Sequence, residues 1–192
     1  MRNAVIVLTK APSKGVKTRI AGELGPERAR DAYKTFLRMV SDIIEGHMSY
    51  VFVEPKEGIP EVRKLIRADY FKAQEGGDLG ERMKHAINEV LRQGFDSVVL
   101  IGGDAPTMPK DFITKGLNAL KTHELVFGPA TDGGFYLIGA KDLLPDDLFD
   151  GVEWGCDTVL SSVLDNLQGV SYALLPEWAD IDTAKQLRDS GL

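Results

Sequence analysis

A carboxylate follows directly on an apolar run at Gly102-Gly103-Asp104. Val98 to Ile101 carry no polar interruption and are rich in β-branched residues, the pattern of a strand covered on both faces of a parallel sheet. Two glycines let the backbone turn sharply and let a ligand approach. In open α/β sheets, ligands bind beyond the carboxyl ends of the strands. Asp104 in that position suits a metal ion held against a phosphorylated substrate. It also suits the cap of a turn, or of the helix starting near Pro109. A second loop, Thr9 to Arg19, follows another apolar run, Ala4 to Leu8, and gathers four cations: Lys10, Lys14, Lys17 and Arg19. Cations and backbone N–H groups together neutralise phosphate; a solvated basic loop is the plainer reading. It is not a P-loop, because Val16 separates Gly15 from Lys17 and no glycine lies upstream.

Three further segments hold candidate groups. In Gly76-Gly77-Asp78-Leu79-Gly80, the carboxylate of Asp78 suits the N-cap of the next helix. It equally suits a contact to the sugar or base of a nucleotide, with the glycines, Gly80 among them, permitting close approach. Arg82 reads as a solvated helix residue. Asp132-Gly133-Gly134 is a hairpin-turn signal, and its glycine content also fits the border of a substrate site, a role slightly favoured here. Near the C-terminus Asp180 and Asp182 alternate, and Asp182 fits either a second metal ligand or a cap for the terminal helix.

These residues need a scaffold that brings them together. Apolar runs predict strands at Ala4–Leu8, Ser49–Glu54, Phe71–Gln74, Val98–Ile101, Leu125–Phe127, Phe135–Ile138 and Ser171–Leu175. Helical periodicity predicts a long amphipathic helix after Gly25-Pro26, and others over Pro60 to about Tyr70, from Leu79, over Pro109–Leu120, over Asp157–Leu167 and from Thr183. Leu148, Phe149, Val152 and Trp154 lie in an irregular loop, where packing is favoured over covering the site. Alternating strands and helices predict a three-layer α/β/α fold, and the strand pair around Asp132 makes the mainly parallel sheet mixed. With 192 residues, one domain over 1–192 is expected. A net charge of −6 argues against nucleic acid as a partner. Cys156 is the only cysteine, so an intrachain disulfide and a cysteine-rich zinc site are excluded. The N-terminal apolar run is too short for a signal peptide or membrane span, so a cytoplasmic location is expected.

Five motifs occur in order: Lys10-Ala-Pro-x-x-Gly-x-Lys17-Thr-Arg19, Gly77-Asp-Leu-Gly-Glu-Arg-Met83, Ile101-Gly-x-Asp104-x-Pro106, Gly128-Pro-Ala-x-Asp-Gly-Gly134 and Asp180-x-Asp-Thr183. Together they resemble the bacterial and archaeal glycosyltransferase-A-like family DUF2064, whose members are named nucleotide-diphospho-sugar or rSAM-associated transferases. The resemblance spans nearly the whole chain. It implies a Rossmann-like nucleotide-diphospho-sugar transferase fold and metal-dependent transfer from a nucleotide-activated donor to a small-molecule acceptor. The wider superfamily includes molybdenum-cofactor and phospholactate guanylyltransferases, which offers nucleotidyl transfer from a nucleoside triphosphate as the alternative. A third reading is nucleotide binding without turnover. By the resemblance, Lys10, Gly15, Lys17 and Arg19 grip phosphates, with Asp78 and Gly80 also on the nucleotide. Asp104 and Asp182 bind Mg²⁺ or Mn²⁺, and Asp132, Gly133 and Gly134 face the acceptor. Lys17, Asp104 and Asp132 are the catalytic candidates. The sugar-transferring relatives carry Asp-x-Asp where this chain has Gly102-Gly103-Asp104, a departure that leans toward nucleotidyl transfer.

Overall fold

The computed structural model describes residues 1–15, 17–179, 181 and 183–189, the last by its backbone. Asp180 and Asp182 therefore lie outside the described residues. Seven strands form one sheet: β1 (Asn3–Lys10), β2 (Ser49–Glu54), β3 (Tyr70–Ala73), β4 (Ser97–Gly102), β5 (Leu125–Pro129), β6 (Phe135–Ala140) and β7 (Tyr172–Leu174). Their order is β3-β2-β1-β4-β6-β5-β7. The pairs β2–β3, β1–β2, β1–β4 and β5–β7 are parallel; β6 runs antiparallel to both β4 and β5. The sheet is thus mixed and mainly parallel, as the alternation of elements predicts. The central strands are buried on both faces, which explains their uninterrupted apolar sequences.

Helices cover both faces. One core cluster joins Val5, Val7, Val99 and Ile101 to α2 (Pro26–Ile43) and α5 (Asp111–Ala119), and takes in Ile20 of α1 (Thr18–Leu24) and Leu187 of α7 (Ala184–Asp189). The other joins Ile6, Phe52, Leu100 and Ile138 to α4 (Leu79–Leu91) and α6 (Val159–Asp165). Pro26 occupies the first turn of α2, where its missing N–H costs no helical bond.

One local expectation changes and another holds. The expected helix from Pro60 to about Tyr70 is only α3 (Ile59–Val62), after a 3₁₀ turn at Lys56–Gly58. The Arg67 N–H donates to Ser41 Oγ on α2 at 2.9 Å instead of continuing a helix. The loop carrying Leu148, Phe149 and Trp154 packs against the α4-side core, in line with the favoured reading. Among the described residues, no helix is long and apolar enough to cross a membrane.

Candidate active site

The parallel strands β1, β2, β3 and β4 all end at one edge of the sheet, and a cavity of about 570 Å³ opens there. It receives residues from segments far apart in sequence: Lys10, Lys17 and Arg19 of the basic loop, Gly102 to Asp104, Gln74 beyond β3, and Asp132. Strand order explains the convergence, since β1 and β4 are neighbours, with Leu8 opposite Gly102.

Lys17 is the residue on which the basic loop turns. Among the described non-glycine residues it has the positive φ, 50° with ψ 56°. That left-handed conformation costs a residue with a Cβ roughly 1 kcal/mol, and such strain concentrates at functional sites. The side chain is 6% exposed; its ammonium lies 3.3 Å from Asp104 Oδ2 and 5.8 Å from the centre of the Phe36 ring. Asp104 is about half exposed, so its carboxylate meets both Lys17 and the cavity. Its Oδ1 fills the space that a Cβ at Gly102 would need. Gly103 answers a different constraint: a Cβ there would come within 2.6 Å of Thr9 Oγ1.

Below this edge lies a buried pair of hydroxyls. Tyr33 on α2 and Thr9 on β1 hydrogen-bond at 2.8 Å, and the Lys10 N–H donates to the Tyr33 hydroxyl at 3.4 Å. Burial, reinforced by the negative charge of Asp104, pushes the Tyr33 hydroxyl up to about 12. Gln74 anchors the neighbouring wall: its Nε2 donates to Thr9 O at 2.7 Å and to Phe52 O at 3.1 Å. Neither residue stands out in the sequence. Tyr33 falls on the apolar face of the long helix after Gly25-Pro26, and Gln74 at the margin of the expected strand Phe71–Gln74. Only the strand order puts either one at the cavity.

Of the sequence-predicted site residues, Lys10, Gly15, Lys17, Arg19, Asp104 and Asp132 line the cavity. Asp78, Gly80, Gly133 and Gly134 are not among its lining residues. Asp78 caps α4, accepting from the Glu81 N–H at 2.8 Å, while Glu81 Oε2 accepts from the Gly77 N–H at 2.6 Å. This is close to the reciprocal capping box. Gly80 is the point where the Phe149–Trp154 loop meets α4; a Cβ there would come within 2.7 Å of Phe149 Cβ. Asp132 Oδ1 accepts from the Gly134 N–H at 3.0 Å, an Asx-type turn that joins β5 to β6. Its hairpin and lining roles therefore coexist. Gly133, at φ 87°, packs so tightly on the Asp157 carbonyl that no Cβ fits. Arg82, expected to be solvated, lines the cavity and donates from Nε to Gly76 O at 3.1 Å.

Among the described residues no three His, Cys, Asp or Glu side chains gather as a metal site. Asp104 nonetheless offers the hard oxygen that Mg²⁺ or Mn²⁺ prefers, and Mg²⁺ commonly takes only one or two protein carboxylates, completing its shell with water and substrate phosphates. The donor chemistry therefore fits a divalent cation bound together with a nucleotide.

The family model DUF2064, described as "Uncharacterized protein conserved in bacteria", matches residues 45–156. A solved structure from Desulfovibrio desulfuricans G20, provisionally described as a nucleotide-diphospho-sugar transferase, is 35% identical. It covers 97% of this chain and 84% of its own, with a TM-score of 0.88. The 2-phospho-L-lactate guanylyltransferase of Methanocaldococcus sp. (strain FS406-22) is 26% identical over 137 residues, 71% of this chain and 58% of that protein. This chain thus spans less than two thirds of that relative. A cytidylyltransferase from Leptospira borgpetersenii serovar Hardjo-bovis (strain JB197) shares the fold, with a TM-score of 0.64 at 14% identity, covering 97% of this chain and 84% of its own. The sequence relative and the two solved structures are all described as transferases of nucleotides or of nucleotide-activated groups.

Proposed function

The chain belongs to the DUF2064 family, and from the geometry of its cavity we propose that it is a nucleotidyltransferase, moving a nucleoside monophosphate from a nucleoside triphosphate to a small hydroxyl or phosphorylated acceptor. The observation that carries this reading is the Gly102–Asp104 turn, where the Asp104 carboxylate takes the room a side chain at 102 would need. An Asp-x-Asp grip on a nucleotide sugar requires side chains at both positions. The charge of the cavity points the same way. Lys10, Lys17 and Arg19 line it together, a cationic cluster suited to the several charges of a triphosphate. The guanylyltransferase relative supports nucleotidyl chemistry.

In this mechanism an acceptor oxygen forms a bond to the α-phosphorus. The bond from that phosphorus to the oxygen bridging the α- and β-phosphates breaks, and pyrophosphate leaves with the electron pair. A hydroxyl acceptor gives its proton to solvent or to the Asp132 carboxylate; a phosphorylated acceptor has none to lose. Lys17 and Arg19 hold the phosphates and stabilise the charge that develops on the departing pyrophosphate. Lys10 adds to the same field at the cavity edge. Bound to Asp104 and Asp182, Mg²⁺ or Mn²⁺ would neutralise phosphate charge beyond what the lysines supply. The work is positioning and electrostatics, so no protein nucleophile is required.

Sugar transfer is the second reading, favoured by the 35% identical relative described provisionally as a nucleotide-diphospho-sugar transferase. There the acceptor attacks the anomeric carbon, a nucleoside diphosphate leaves, and Asp132 acts as base. Product analysis separates the two. With a panel of phosphorylated and hydroxyl acceptors and Mg²⁺ or Mn²⁺, the expected result is pyrophosphate released from a nucleoside triphosphate and lost in Lys17→Ala. Nucleoside diphosphate released from a nucleotide sugar, with no pyrophosphate from any triphosphate, would overturn it.

A further inference from the structure

We propose that Gln74 reads the base of the bound nucleotide and selects bases that carry an exocyclic amino group; this rests on the cavity being a nucleotide site. Gln74 lies just beyond β3 and reaches across the sheet edge to main-chain oxygens on two other strands, Thr9 O of β1 and Phe52 O of β2. A carbonyl oxygen can only accept. The nitrogen of the side-chain amide must therefore face the strands, which removes the usual ambiguity about which way the amide points. Both N–H bonds of that nitrogen are used, so the plane of the amide is locked. Its Oε1 is left as a fixed acceptor on a residue that lines the cavity.

The surroundings suit a flat ring. Leu8 and Leu100, on the sheet face covered by α4, and Met83 of α4 itself line the same cavity. Leu79, at the first turn of α4, is 44% exposed while lining it. An exposed leucine beside buried apolar groups and one oriented acceptor is the composition of a ligand pocket: mostly apolar, with few placed polar atoms. Lys10, Lys17 and Arg19 lie on the basic loop, in keeping with phosphates at that part of the cavity, while Arg82 of α4 donates from Nε to Gly76 O. A fixed acceptor attracts an amino N–H and repels a keto oxygen, so discrimination between amino and keto bases follows from its orientation.

The test is equilibrium titration of the full chain with Mg²⁺ and three matched pairs: CTP against UTP, ATP against ITP, and GTP against ITP. The unchanged protein is expected to favour the amino member of its best pair by about tenfold, the effect of one well-placed hydrogen bond. Gln74→Met removes the acceptor at nearly constant volume and should bring that ratio toward unity. Loss of the bonds to Thr9 and Phe52 would weaken both members of a pair alike, so the ratio isolates base reading from a structural effect. A protein that binds nucleotides without distinguishing any pair overturns the proposal, as does an undiminished ratio in Gln74→Met. No binding of any triphosphate by the unchanged protein overturns both this and the nucleotidyltransferase reading.

Discussion

Gly102-Gly103-Asp104 and Gly76-Gly77-Asp78 are the same tripeptide at the same edge of the sheet, the first at the very end of β4 and the second just past β3. Their carboxylates nevertheless do different work. Asp78 stands one residue before α4 and accepts the Glu81 N–H, one of the donors a helix start leaves unpaired. After Asp104 no helix begins until Asp111, so no nearby helix claims its carboxylate. It pairs instead with Lys17, 87 residues away in the chain. Strand position adds to the contrast. β4 lies inside the sheet between β1 and β6, where loops converge, whereas β3 is an edge strand. What a carboxylate after two glycines does is thus decided by how soon a helix begins and by which strands lie beside it.

Substitutions can break this comparison. Asp104→Asn should have the largest effect, lowering metal-dependent pyrophosphate release by roughly 100- to 1000-fold, with the circular dichroism spectrum unchanged. Activity close to that of the unchanged protein would remove Asp104 from the chemistry. Asp78→Ala should do the opposite: about 1 kcal/mol of stability lost with the helix cap, read from the denaturant midpoint, and little change in kcat. A large loss of activity at unchanged stability would mean that Asp78 reaches the nucleotide after all.

A third substitution sharpens the view of Asp104 from beneath. The folded state raises the Tyr33 hydroxyl from 10.0 to about 12, through burial and then the charge of Asp104. The folded chain therefore holds this proton more tightly than the unfolded chain. The contribution to stability is fully present below pH 10 and is lost as pH rises toward 12. Denaturant midpoints measured across that window should fall less steeply in Tyr33→Phe than in the unchanged protein. Parallel slopes would show that Tyr33 is not the group responsible.

Much of the scaffold was legible because buried parallel strands advertise themselves as unbroken apolar runs; the expected Ser49–Glu54 strand coincides with β2. The shortened α3 was not, because the Ser41 hydroxyl that takes the Arg67 N–H comes from another helix, and no local pattern encodes such a bond. The same holds within the cavity. The cationic loop and Asp104 stand out by composition and by position after strands. Gln74, Tyr33 and Arg82 do not, since an amide, a phenol and a helical arginine are ordinary surface or core residues until strand order sets them side by side. Gly80 and Gly133 illustrate the reverse: glycines that suggested ligand approach are occupied by the protein's own Phe149, Trp154 and Asp157.

The hairpin turn at Asp132 has a mechanical consequence. Gly133 is pressed against the Asp157 carbonyl, and its own carbonyl accepts from the Leu160 N–H at 2.9 Å. The turn is therefore bolted to the start of α6 and bears load as an anvil does. Pressure from a molecule entering beside Asp132 passes into α6 and the core beneath it, so that wall of the cavity resists displacement instead of yielding to its guest.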